Sequence, residues 1–177
     1  MKEKDISIHP IYQSGGVTRW HAKPKVTATQ TLADHHGRVA QIMLYFWPNV
    51  RRDLIYAALH HDCGEWVVGD VPYDAKQGGA LADLSKMMGD VEEQARADMG
   101  VTPTDITSGE YRMLKFCDRL EAYTFIAMHH PHLLSNADWM QGWQHICDTA
   151  EKLGVQSRLN EWISGAGLTP QCQVATF

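Results

Sequence analysis

The sequence lacks most of the features that would assign it quickly to a class. It has no glycine-rich phosphate loop and no G-x-S-x-G elbow, which leaves kinase and serine-hydrolase chemistry without support. No apolar run reaches the roughly 20 residues needed to span a bilayer. The longest, Ile42–Trp47, is cut by Pro48. The start, Met1-Lys-Glu-Lys-Asp5, has no signal-peptide core, so a cytoplasmic protein with no membrane partner is expected. The four cysteines (Cys63, Cys117, Cys147 and Cys172) show no C-x-x-C spacing. A zinc ribbon, a redox pair and a disulfide framework are therefore not expected, and the thiols read as reduced and mostly buried. A net charge of −5 offers no basic coat for polymeric nucleic acid. With 44% apolar residues in 177, disorder is excluded and one ordinary domain is expected.

Histidine is in excess. There are ten, with clusters at His35-His36, His60-His61, His129-His130 and His132. Strand-like alternation is scarce, whereas helical spacing is common and is punctuated by Gly and Pro. The fold class read from this is all-α, a single compact bundle of five to six helices spanning residues 1–177. Residues 1–28 read as an irregular arm with turns at Ser14-Gly15-Gly16 and Pro24. The first helix is predicted over Thr31–Trp47, with Thr31 and Asp34 as a capping pair, and the second over Val50–Cys63 behind Asn49. A loop from Gly69 to Gly79 follows. Further helices are predicted over Ala80–Met99, Thr104–His129, Asn136–Leu153 and Gln156–Ile163, with Gly100 and Pro131 stopping the first two. From Gly165 the chain reads as a loose tail.

The helical wheels carry an anomaly. On the second helix, Leu54, Ala57, Ala58, His61 and Asp62 share one arc, and Glu65 joins it if the helix continues past Gly64. A carboxylate on an inward face needs a cation or donors, because burying it alone costs several kcal/mol, roughly. On the fourth helix, Asp118 sits in a stripe with Tyr111, Leu114, Ala122 and Phe125. On the first, His35 lines up with Val39, Ile42 and Phe46, and His36 with Ala40, Met43 and Trp47. The wheel does not choose between these two histidines. Two imidazoles and two carboxylates aimed inward from three helices suit a divalent metal. A mixed N/O set fits zinc, manganese, iron or cobalt better than calcium. The competing reading is a buried His–Asp ion pair beside a satisfied core histidine.

The order of these residues, His35, then His61-Asp62, then Asp118, resembles the HD-domain metal phosphohydrolases. The resemblance is reinforced by Arg19-Trp20, by Ala33-Asp34-His35, by His61-Asp-x-x-Glu65-x-x-x-x-Asp70-x-Pro72-x-x-x-Lys76 and by Lys115-x-x-Asp118. The extended set looks like the 5′-deoxynucleotidase branch and covers about residues 19–125. With His61 only 26 positions after His35 and Asp118 only 56 after Asp62, the build is more similar to the compact phage dATP triphosphohydrolases of the DatZ type.

The resemblance implies that His35, His61, Asp62 and Asp118 hold one divalent ion per chain (zinc, cobalt or manganese). His36 is then a packed or supporting neighbour. Glu65 would orient or deprotonate the attacking water. Arg19 would grip phosphate oxygens, Trp20 would close the 2′ side of a deoxyribose, and Asp70 would contact the sugar or brace the site. Lys76 and Lys115 would neutralise phosphate charge. The function implied is dATP hydrolysis to deoxyadenosine and triphosphate. It would lower the dATP pool during phage DNA synthesis in the host cytoplasm, by a homo-oligomer. Two alternatives stand beside it: a 5′-deoxynucleotidase acting on monophosphates, and a nucleotide-binding oligomer without turnover.

Overall fold

A computed structural model describes residues 9–71, 82–102, 104–165 and 167. Among them the regular elements are all helical: α1 (Pro10–Ser14), α2 (Leu32–Phe46), α3 (Arg52–His60), α4 (Glu65–Val68), α5 (Ala82–Asp98), α6 (Ser108–His129), α7 (Ala137–Lys152) and α8 (Gln156–Gly165), with a 3-10 turn at Pro131–Ser135. The six helices predicted from periodicity are present as α2, α3 and α5–α8, and the all-α expectation holds. No helix among the described residues is long and apolar enough to cross a membrane.

The differences have local causes. The arm is not wholly irregular. Pro10 stands in the first turn of α1, and the His9 ring caps it by accepting from the Ile11 N–H through Nδ1 at 3.3 Å. The second helix stops at His60 rather than Cys63. A turn over residues 61–64 follows, and Glu65 opens the separate helix α4. The fourth starts at Ser108 because Thr107 caps it. Thr107 Oγ1 accepts from the Glu110 N–H at 3.2 Å, and the Glu110 carboxylate accepts from the Thr107 N–H at 2.9 Å. Tyr111, placed on the inward stripe of this helix, is exposed, and burial begins one turn later at Leu114. Beyond Gly165, the last residue of α8, the predicted tail lies outside the described residues except for Gly167.

The described residues fall into two compact units. One is drawn from Met1–Arg38 and Tyr56–Asp105. Here the arm satisfies the start of α2. Leu32 N–H donates to Val17 O at 2.9 Å, Ala33 N–H to Gly15 O at 3.0 Å, and Asp34 N–H to Thr31 Oγ1 at 3.3 Å, as the capping pair predicts. Cys63, Ala95, Met99 and Val101 form a small core against Ile11 and Tyr56. Gly64 is required where it stands, because a Cβ there would lie 2.8 Å from backbone atoms of Glu92 on α5.

The other unit is drawn from Val39–Ile55 and Ile106–Phe177. Phe46, Trp47, Phe116 and Trp162 pack edge-to-face and tilted, and Tyr123 stacks on Trp143 with centroids 4.8 Å apart. The buried rings of Phe46 and Phe116 each contribute roughly 1.5–3 kcal/mol, and the half-buried Trp47 and Trp162 contribute less. Arg158 closes the C-terminal end of α2, donating from Nη1 to Tyr45 O at 2.8 Å and to Phe46 O at 2.6 Å.

Candidate metal centre

Three imidazoles stand close together in the first unit. The rings of His35, His36 and His61 lie 5.8, 5.1 and 4.9 Å apart, so their centroids form a nearly even triangle. Residues 35 and 36 belong to the first turns of α2, which the arm's backbone acceptors hold in place. His61 follows the last residue of α3, and its Nδ1 lies 2.9 Å from Ala58 O. A carbonyl can only accept, so Nδ1 donates to it, and Nε2 is the ring nitrogen left to face the other candidate ligands.

That nitrogen points at the other candidate ligands. His61 Nε2 is 3.2 Å from His35 Nε2 and 3.3 Å from Asp62 Oδ2, and His35 Nε2 is 3.7 Å from the same oxygen. The edge of a tetrahedron of ligands around an ion with bonds of about 2.1 Å is about 3.4 Å. The three distances straddle that value. Asp118 completes the set. One ligand atom from each of His35, His61, Asp62 and Asp118 lies within 4.8 Å of all the others, and no second group of this kind occurs among the described residues. Two nitrogens and two carboxylates so placed can hold a divalent ion, and the donor set fits the borderline metals expected from the sequence. Of the pair the wheel left open, His35 is the member of the set. It is wholly buried, while Asp62 keeps a quarter of its side chain exposed and leaves the centre an open side.

His36 is also buried but stands outside the four, and its Nε2 has no hydrogen-bond partner. Burial, and then the charge of His61, push its pKa down to about 3, so the ring is neutral. Arg19 also acts on it in the same direction, which puts the guanidinium within electrostatic reach of the triangle.

The remaining predicted residues divide. Glu65 is buried at the first position of α4, and its N–H donates to Asp62 O at 2.9 Å. It is not one of the four convergent groups. Arg19 and Trp20 lie on the arm. The guanidinium carbon sits 5.1 Å from the centroid of the Trp20 ring, and Arg19 N–H donates to Gln30 O at 2.9 Å. Trp20 has φ 65°, in the left-handed region that side chains other than glycine seldom adopt. Two ties hold it there: its N–H to Asp70 Oδ2 at 2.9 Å, and its Nε1–H to Gln30 Oε1 at 2.8 Å. Asp70 thus braces the arm. Gln30 is almost wholly buried, and the sequence gives no sign of its role, because a lone Gln before a helix carries no signal. Lys115 donates to Asp118 Oδ2 at 2.7 Å, which ties it to a candidate ligand. Lys76 and Pro72 lie outside the described residues.

The thiols at Cys63 and Cys117 are buried, and burial raises the pKa of both, that of Cys63 to about 11. Neither is poised as a nucleophile. Cys147 forms no disulfide among the described residues, and Cys172 lies outside them.

No protein-family model matches the chain, and no curated protein matches its sequence.

Proposed function

We propose that the protein is a divalent-metal-dependent phosphohydrolase of deoxynucleoside 5′-phosphates, with dATP cleaved to deoxyadenosine and triphosphate. The observation that carries this reading is the convergence of His35, His61, Asp62 and Asp118, in the order that resembles the HD-domain phosphohydrolases. When bound, a divalent ion supplies a Lewis acid that polarises a phosphoryl oxygen and lowers the pKa of water. The chain supplies the rest. Glu65, buried three residues beyond Asp62, orients the attacking water and takes its proton. The Arg19 guanidinium meets phosphate oxygens, and the Trp20 indole closes the 2′ side of the sugar, held by its own N–H on Gln30 and by the main-chain N–H of Trp20 on Asp70. The chain would work as a homo-oligomer in the cytoplasm.

One observation favours the second reading, a 5′-deoxynucleotidase. Lys115 is already bonded to Asp118, so one of the three cations assigned to a triphosphate is committed to a carboxylate. A panel of deoxy- and ribonucleoside mono-, di- and triphosphates decides between them, assayed with several divalent metals and with product identification. Triphosphate released from dATP supports the first reading. Phosphate from dAMP with no action on dATP supports the second, and no turnover of any member refutes both.

A further inference from the structure

One buried polar atom at the centre has no protein partner. His36 Nε2 is enclosed and makes no hydrogen bond, although its ring stands 4.9 Å from that of His61. The other two imidazoles of the triangle turn their Nε2 atoms toward each other and toward Asp62. A buried polar atom left unsatisfied is expensive, whereas an apolar ring of the same shape would be free of that cost. Packing alone therefore gives no reason for a histidine here. The ring borders a candidate metal ligand on one side, and it feels the charge of Arg19, the guanidinium assigned to phosphate.

Building on the phosphohydrolase reading above, we infer that His36 is a catalytic residue whose Nε2–H donates a hydrogen bond to an oxygen of the phosphoryl group under attack. A phosphate oxygen gives this nitrogen the partner the protein withholds. Charge is spread over the equatorial oxygens in the transition state, and a fixed donor there is worth more than one that solvent must reorganise to replace. The predicted role as a packed neighbour is thereby extended to contact with substrate.

The test uses the full chain loaded with Mn²⁺ and compares the parent with His36→Phe and His36→Gln. Phe keeps the ring shape without the donor, and Gln restores a donor on a flexible stem. Three quantities are read: Mn²⁺ affinity by calorimetry, affinity for inorganic triphosphate, and kcat on dATP and dAMP. His36→Phe should bind Mn²⁺ as the parent does and melt no lower. It should bind triphosphate at least several-fold more weakly and lose about 10²-fold in kcat, with His36→Gln recovering part of both. Unchanged triphosphate affinity and kcat in His36→Phe would overturn the inference, as would loss of Mn²⁺, which would make His36 a ligand. If the parent turns over neither nucleotide, the phosphohydrolase reading fails by itself. The triphosphate arm then still decides whether His36 meets phosphate.

Discussion

Asp70 Oδ2 accepts the backbone N–H of Trp20 at 2.9 Å, across fifty residues of chain, and Trp20 holds φ 65°. A left-handed tryptophan costs of the order of 1–3 kcal/mol unless its surroundings over-determine it. Here a carboxylate fixes the main chain and Gln30 fixes the indole. Asp70→Ala should release the arm, lowering stability by about 1–3 kcal/mol and exposing the chain near Trp20 to limited proteolysis. On the proposed function it should also narrow the preference for dATP over ATP, as Trp20→Ala should directly. Unchanged melting and unchanged sugar selectivity in Asp70→Ala would show that the tie is incidental.

Glu110 gives the fold an acid-sensitive joint. Its carboxylate accepts from Arg51 Nε at 2.7 Å and from the Thr107 N–H, and these bonds bring its pKa down to about 2. A carboxyl whose folded pKa lies below its unfolded value stabilises the fold above the unfolded pKa. That contribution drains away as pH falls through the interval down to the folded value. For Glu110 the interval runs from about 4.5 to about 2. Denaturant midpoints of Glu110→Gln should therefore approach those of the parent toward pH 2 and fall below them at pH 7. A constant gap across that range would remove Glu110 from the acid response. Thr107→Ala removes the cap itself and should cost about 1 kcal/mol.

Gly64 tests the turn that carries the centre. Its φ of −63° suits any residue, so the penalty of a side chain is steric and not conformational. A Cβ would meet the α5 backbone at Glu92, which is not free to swing away as a side-chain tip would be. Gly64→Ala should destabilise by about 1–3 kcal/mol and weaken metal binding by shifting the turn between Asp62 and Glu65. Parent-like melting and metal affinity would mean that α5 yields at no cost.

Glu65 separates chemistry from binding. A carboxylate that orients water acts mainly in the transition state, so Glu65→Gln should lower kcat by about 10²-fold or more while leaving metal affinity and KM near the parent values. A rise in KM at constant kcat would reassign the residue to substrate binding.

Much of this was legible in the sequence, for identifiable reasons. The helices follow a period of 3.6, and Thr31, Gly100 and Pro131 mark their ends by local chemistry alone. His61, Asp62 and Asp118 stood out because polar residues on apolar faces break a pattern. The choice between His35 and His36 was hidden, since adjacent residues differ by only 100° on a wheel and both faces are buried. The break after His60 was also hidden. The turn there brings Gly64 against α5, a helix distant in sequence, and no local propensity records such an approach. Gln30 and the left-handed Trp20 belong to the same class, being fixed by long-range bonds and not by their neighbours.

The claim that these four side chains form one metal centre is tested most directly by counting metal. The full chain, stripped and reloaded with Zn²⁺ or Mn²⁺ and desalted, should carry about one ion per chain by elemental analysis. His61→Ala and Asp118→Ala should each lose it while circular dichroism keeps the helical signal, since packing and not metal dominates a domain of this size. A parent protein that retains no ion, or an Asp118→Ala protein that retains a full complement, would contradict the account.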